Sequence, residues 1–97
     1  MARIVFQSRV SDDLLRIAEH LEHYEADNIP SRIEAITQAF GVLESNPFIG
    51  RPASNGRREL VIGEGTHCYV AKYRYNEARD AILVIAIRAQ REAGYRD

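Results

Sequence analysis

The stretch Asn46-Pro47-Phe48-Ile49-Gly50-Arg51-Pro52, followed by Arg57-Arg58-Glu59-Leu60-Val61-Ile62, decides the fold. Proline and glycine interrupt regular structure in the first segment, and the second has the apolar and β-branched composition of a strand. Helical periodicity precedes this stretch, and short strand-like runs follow it. We therefore predict a loop over residues 46–56 that joins a helical half to a half made of strands. Phe48 and Ile49 are expected to pack against the core.

The first half of the chain predicts one short strand and two helices. Residues 3–8 contain an apolar run and are interpreted as a strand. Ser11 is predicted to cap the first helix, where the two aspartates after it favour the helix dipole, and this helix ends near Tyr24. Asn28 and Pro30 signal the start of the second helix. Apolar residues recur every three or four positions: Leu14, Ile17, Ala18 and Leu21, then Ile29, Ile33, Ile36, Phe40 and Leu43. The spacing predicts an antiparallel helical hairpin with one apolar face.

The second half predicts three antiparallel strands. Residues 58–62 form the first of them, and residues 68–75 alternate so that Tyr69, Tyr73 and Tyr75 share one face. The continuous apolar run over residues 81–87 indicates an interior strand covered on both faces. The predicted order is β-α-α-β-β-β, an α+β fold with a helical hairpin packed on a small, mainly antiparallel sheet. The 97 residues suffice for a single domain over 1–97.

Composition narrows the classes of function. The chain has 13 lysine and arginine residues against 14 acidic ones, a formal net charge of −1. A protein that binds nucleic acid mainly through phosphate contacts is usually more basic. Cys68 is the single cysteine, so no intrachain disulfide forms and a reducing compartment is expected. The apolar runs are too short for a signal peptide or a membrane span, which predicts a cytoplasmic protein without a membrane partner.

Arginines near the strands are the candidate binding residues. Arg57 and Arg58 are adjacent at a strand entrance, so their side chains should point to opposite faces. They are suited to contact a phosphate or an acidic partner segment, or else they are solvated, with one bonded to Glu59 or a helix carboxylate. Further candidates lie where the last strand ends: Arg88, Arg91, Tyr95 and Arg96. This tail either contacts a target or is an ordinary frayed terminus.

The histidines are weaker candidates for a functional site than the arginines. His20 and His23 lie on the polar side of the first helix without a third ligand at a fitting spacing, so no metal is predicted. His67 would serve as a general acid or base only if it faced a cleft beside Glu64 or Glu59. We predict no cofactor.

The chain resembles the ParE/RelE superfamily of bacterial toxin–antitoxin toxins. The resemblance rests on the element order, the Asn-Pro-x-x-Gly-Arg-Pro segment at residues 46–52, the Arg-Glu-Leu opening at residues 58–60, the Tyr-x-x-x-Tyr-Arg pattern at residues 69–74 and the arginine-bearing C-terminus. It implies a small cytoplasmic toxin, often described as a plasmid stabilisation protein. It also implies a cognate antitoxin, a small DNA-binding protein with a segment that folds on binding.

Two branches of the superfamily differ in activity. ParE-like members are regarded as poisons of DNA gyrase, and RelE-like members cut messenger RNA on the ribosome. Cutting needs proton-transfer groups and cations that hold the phosphate. RelE-like toxins place basic side chains at positions that align with Arg58, Leu60 and Val70 here, and with a position near Gln90. Two of the three strand positions are apolar, which favours the ParE-like branch.

The favoured interpretation is therefore a non-enzymatic toxin that binds a protein target such as DNA gyrase. The first alternative is a ribosome-dependent endoribonuclease that uses Arg58, Arg88 or Arg91, and Tyr95. The second is a non-toxic binding module of the same fold, with a homodimer as one form.

Overall fold

The computed structural model describes residues 1–23, 27–63 and 68–90, in which helices pack on one face of a five-stranded sheet. The strands are β1 (Arg3–Phe6), β2 (Arg51–Pro52), β3 (Arg58–Ile62), β4 (Tyr69–Asn76) and β5 (Ala81–Ala89). The helices are α1 (Arg9–His23), α2 (Ile29–Gln38) and α3 (Val42–Ser45), with 3₁₀ turns at Ala39–Gly41 and Ser54–Gly56. The strand order is β1-β5-β4-β3-β2. The predicted α+β class, a helical hairpin on a mainly antiparallel sheet, is confirmed.

Two features of the sheet differ from the prediction or go beyond it. Arg51 and Pro52, predicted as loop, form the short edge strand β2 by pairing with Glu59 and Arg58 of β3. A two-residue strand shows no alternation that a sequence pattern could reveal, and an edge is where a proline is tolerated. The first strand, β1, pairs in parallel with β5. Chain order alone could not place it beside the last strand.

Helix α1 begins at Arg9, so Ser11 lies inside the helix and the predicted cap is wrong. The reason lies in the turn that leaves β1. The Val10 amide donates to the Gln7 carbonyl at 3.0 Å, which starts helical turns before Ser11. The predicted apolar stripe is confirmed, because Ile17 and Leu21 are buried.

The second predicted helix is divided into α2, a 3₁₀ turn and α3, but its apolar stripe continues through the break. Ile36, Phe40 and Leu43 are all buried. Asn28 occupies the predicted cap position, yet its backbone is left-handed (φ 57°, ψ 39°) and its side chain makes no capping hydrogen bond. Across the ranges that the structure describes, none of the helices combines the length and apolar character needed to cross a bilayer.

The core lies between the helices and one face of the sheet. Tyr73, Ile82 and Val84 point into it and are fully buried. We call the opposite side, which no described helix covers, the outer face. The residues of β5 are buried or half-buried throughout: Ile82, Val84 and Ile87 face the core, while Ala86, paired with Lys72 on the outer face, is also buried. The predicted interior position is confirmed, because β5 pairs with β1 on one side and with β4 on the other, and none of its residues is exposed.

Candidate functional site

Residues 46–52, called the bridge below, are fastened to the sheet by the hydroxyl of Tyr73. This hydroxyl accepts a hydrogen bond from the Gly50 amide at 2.9 Å and donates one to the Pro47 carbonyl at 2.8 Å. Burial raises the pKa of Tyr73 above its ordinary value of 10.0, while the Gly50 bond and the charge of Arg58 act in the opposite direction. The neutral hydroxyl therefore persists at physiological pH and serves as donor and acceptor at once.

Arg58 is the second residue that holds the bridge to the sheet. Its Nη1 donates to the Phe48 carbonyl at 3.1 Å and to the Gly50 carbonyl at 2.8 Å. Its guanidinium lies 5.1 Å from the centroid of the Phe48 ring, a cation–π contact. Register pairs Arg58 with Tyr73, so it points to the helix side of the sheet. Its hydrogen-bond partners are bridge carbonyls, and Glu59 is instead bonded to Arg51 at 3.1 Å.

The bridge approaches β4 so closely that position 50 has to be a glycine. A Cβ atom at this position would lie 2.7 Å from the Tyr73 ring and hydroxyl and 2.8 Å from the Glu59 carbonyl oxygen. Such separations are shorter than any ordinary contact, and one of the neighbours is backbone that cannot turn away. A residue without a side chain is therefore needed where the bridge passes over Tyr73.

The prediction that Phe48 and Ile49 pack against the core is wrong. Their side chains are 52% and 55% exposed. Tyr73 and Arg58 hold the bridge carbonyls inward, so these two side chains turn towards solvent. Phe48 keeps one edge-on aromatic contact with Tyr75, with ring centroids 5.2 Å apart. The overlooked signal was the Tyr73 hydroxyl, because a buried hydroxyl needs partners and the nearby loop carbonyls supply them.

Among the described residues, the structure does not bring the predicted arginines Arg57, Arg58 and Arg88 into one site. Arg57 is extended and precedes β3, so its side chain leaves on the side opposite Arg58. Arg88 lies opposite Val70 on the outer face, where its Nη1 donates to the Ala89 and Gln90 carbonyls at 3.3 Å each. Strand β4 separates the strands that carry Arg58 and Arg88. The remaining candidates lie outside the described residues: Arg91, Tyr95, Arg96 and His67.

Cations collect on the outer face, a feature that the near-neutral net charge concealed. Strand register places there five basic side chains and one acidic one: Arg3, Arg51, Lys72, Arg74 and Arg88, with Glu59. Apolar Val5 and Val61 lie between them and are 42% and 45% exposed. Among residues 1–23, 27–63 and 68–90, no group of three His, Cys, Asp or Glu side chains is arranged to hold a metal ion. The outer face is thus suited to contact an acidic macromolecular surface.

A buried carboxylate holds α1 against the far end of β5. Asp13 is 3% exposed, accepts the Ile87 amide at 3.0 Å and accepts Arg16 Nη1 at 2.8 Å. Arg16 Nη2 donates to the Ile87 carbonyl at 3.2 Å. Because β1 pairs with β5 only as far as Val84, these two side chains replace the missing strand partner at Ile87. The predicted effect of Asp13 on the helix dipole missed this contact.

Comparisons with known proteins agree with this architecture. The family model for the ParE toxin of type II toxin–antitoxin systems (parDE) matches residues 4–94. The fold is similar to a chain of the chromosomal ParDE system from P. aeruginosa, with a TM-score of 0.74 and 19% identity over 92% of this chain and 96% of that one.

A second solved structure is similar as well. It is the RelBE2 toxin–antitoxin complex from Mycobacterium tuberculosis, with a TM-score of 0.60 and 19% identity over 92% of this chain and 98% of that one. A search of curated protein sequences gave no match. The family match spans nearly the whole chain, and the chain therefore belongs to the ParE toxin family of type II toxin–antitoxin systems.

Proposed function

We propose that the chain is a toxin that acts by binding a protein target such as DNA gyrase, and that a cognate antitoxin neutralises it. The orientation of Arg58 carries this proposal. Arg58 aligns with a basic position of the ribonuclease branch, but it points to the helix side and holds the Phe48 and Gly50 carbonyls. Arg88 lies on the outer face, two strands away. Cations that stabilise one phosphate in a transition state have to converge on it.

The apolar positions support the same conclusion. Leu60 and Val70 stand where the ribonuclease branch has basic residues, and register places Leu60 on the helix side and Val70 on the outer face. Val70 is fully buried and carries no group that could move a proton. Because these two strand positions carry no such groups, we expect the toxin to act by occupying its target, with an effect proportional to the amount bound.

The antitoxin belongs to the proposal because the chain is a ParE-family toxin. The outer face carries five basic side chains and one acidic one, which suits a partner segment of opposite charge. We expect a small DNA-binding protein whose acidic or amphipathic segment folds on this toxin and stabilises the toxin's folded state.

Supercoiling of relaxed plasmid by purified DNA gyrase tests the gyrase target directly. The chain should inhibit supercoiling in proportion to its concentration and should arrest growth when it is expressed alone. Addition of the purified antitoxin should restore supercoiling, and its co-expression should restore growth. Toxicity in cells without any inhibition of gyrase would remove gyrase as the target.

A ribosome-dependent endoribonuclease is the second candidate, and the outer face is the observation that favours it. Lys72 and Arg88 are diagonal neighbours there, on adjacent strands. If this pair holds a messenger phosphate, purified translation complexes will show cleavage that Arg88→Ala abolishes and Arg58→Ala reduces only through lost stability. Intact message in that assay would exclude this activity. Harmless expression without an antitoxin would instead support a non-toxic module, and light scattering would report a homodimer.

A further inference from the structure

Phe48 and Ile49, which we call the bridge tip, are two adjacent, large apolar side chains that are each more than half exposed. The backbone beneath them is held at several points. The Pro47, Phe48 and Gly50 carbonyls and the Gly50 amide are bonded to Tyr73 or Arg58. The Ile49 amide is bonded to the Asn46 carbonyl at 3.1 Å. The bridge tip is therefore exposed and preorganised, which is the condition under which apolar contacts contribute most to binding.

These same hydrogen bonds indicate what kind of partner fits. A peptide that adds a strand needs free amides and carbonyls on its host, and a helix needs an apolar groove. The bridge backbone has most of its polar groups bonded internally and offers two projecting side chains. Such a surface is matched by a pocket on a protein that is already folded.

Charge around the bridge tip defines the rim of that pocket. The Arg58 guanidinium lies 5.1 Å from the centroid of the Phe48 ring, and the nearby Arg51 is bonded to Glu59. Arg51 is 54% exposed at its side chain, and Arg58 contacts the residues on both sides of Ile49. Positive groups beside an apolar anchor favour a pocket bordered by carboxylates.

We propose that the bridge tip is the contact with the toxin's folded protein target and enters an apolar pocket rimmed by acidic residues. This inference rests on the proposed function, since it assumes that the toxin acts by binding a protein. It assigns binding to residues other than the arginines of the chain's C-terminal end.

Three single variants test the assignment. Ile49→Asp places a carboxylate at an acidic rim, Ile49→Lys places a cation there, and Leu15→Asp is the matched control on α1, where Leu15 is 58% exposed. Thermal unfolding should be similar for all of them, because each residue is mostly solvated. Growth arrest in cells and binding to purified DNA gyrase are then measured for each variant and for the unmodified chain.

We expect Ile49→Asp to weaken both readouts by about tenfold or more, as loss of an interface hot spot does. Ile49→Lys should weaken them less, and Leu15→Asp should change them by less than about twofold. Unchanged toxicity of Ile49→Asp would overturn the assignment and leave the proposed function standing. Equal losses of growth arrest and gyrase binding in Ile49→Asp and Ile49→Lys would contradict the acidic rim of the pocket.

Two further outcomes separate the assignment from the proposed function. If the unmodified chain arrests growth without binding gyrase, gyrase is excluded and growth arrest by Ile49→Asp still decides the assignment. If the unmodified chain neither arrests growth nor binds gyrase, the proposed function and the assignment both fail. A dimer in light scattering that Ile49→Asp converts to a monomer would show that the bridge tip binds a second copy and would overturn the assignment.

Discussion

Two polar contacts hold other parts of this molecule, a helix and a loop, to its sheet, and they use different chemistry. At β5 the contact is charged: Asp13 and Arg16 of α1 bond the amide and the carbonyl of Ile87. At the bridge the contact has a neutral centre, the Tyr73 hydroxyl, with Arg58 added at the margin. Each occurs where regular strand pairing ends and backbone groups would otherwise lack partners.

Because the two contacts use different chemistry, removing each of them should lower the free energy of unfolding by a different amount. Removing a carboxylate from a buried pair leaves a guanidinium without its counter-charge, whereas removing a hydroxyl leaves neutral groups unbonded. The first contact fixes a helix to the core. The second fixes the exposed bridge tip. We therefore expect the first to control stability more strongly and the second to control binding.

The largest effect should follow Asp13→Ala. It removes the acceptor for the Ile87 amide and the partner of Arg16, and it should lower the free energy of unfolding by about 3 kcal/mol. Asp12→Ala is the matched control, since Asp12 is exposed in the same turn, and it should cost less than about 1 kcal/mol. Urea unfolding followed by circular dichroism measures both. Equal losses of unfolding free energy in the two variants would show that the buried Asp13–Arg16 pair contributes no more to stability than the exposed Asp12.

Gly50→Ala should have the next largest effect. Its methyl group would overlap the Tyr73 ring and the Glu59 carbonyl, which should cost about 1–3 kcal/mol of unfolding free energy. Gly41→Ala is the control, because the nearest atom to a Cβ there is 3.9 Å away. It should be neutral or stabilising by up to about 1 kcal/mol. A Gly50→Ala protein as stable as the unmodified one would contradict the close approach of the bridge.

Tyr73→Phe should reduce the unfolding free energy by about 1–3 kcal/mol, because the Gly50 amide and the Pro47 carbonyl both lose a buried partner. Tyr69→Phe, in the same strand, should change it by less than about 0.5 kcal/mol. Amide exchange at Gly50 should accelerate in the Tyr73 variant only. No change in exchange there would mean that the hydroxyl does not hold the bridge.

The pH dependence of stability should also report on Tyr73. Burial raises its pKa in the folded state above the ordinary 10.0, so the folded chain holds this proton more tightly than the unfolded chain. Stability is then complete below pH 10.0 and falls as pH rises through the folded pKa. Urea titrations on either side of that pH should show a shallower fall in Tyr73→Phe. An identical slope would assign the alkaline loss to Tyr69 and Tyr75, whose pKa values are also raised, by burial and by a hydrogen bond to Asp80 respectively.

The smallest effect should follow Arg51→Ala. Its hydrogen bond to Glu59 is 3.1 Å long, but the arginine side chain is 54% exposed and screened by water. The expected loss is about 0.5 kcal/mol or less, and added salt should diminish it. A loss as large as that of Tyr73→Phe would show that the β2 edge, rather than the hydroxyl, secures the bridge.

Sequence patterns predicted most of the fold because periodicity follows burial. The apolar helix stripes that include Ile17 and Leu21, and Phe40 and Leu43, face the core. Residues 58–62 form the predicted strand β3. Patterns could not show the two-residue strand β2 or the position of β1, which depend on pairing between distant segments.

The candidate site was harder to predict for a related reason. Apolar Phe48 and Ile49 are typical core residues by type, but they are exposed because a buried hydroxyl and a guanidinium bind the bridge carbonyls. Arg58 is typical of a binding residue by type, yet part of its donor capacity is used inside the fold. Side-chain type alone does not reveal such long-range hydrogen bonds.

The central claim is that this toxin acts by occupying a protein rather than by catalysis, and a titration of DNA gyrase tests it most directly. Supercoiling is measured at fixed gyrase and increasing toxin, with and without long preincubation. We predict inhibition that saturates near stoichiometric amounts of toxin and does not deepen with time. Full supercoiling at a molar excess of toxin, together with messenger cleavage that accumulates with time at trace toxin in a purified translation system, would contradict the account.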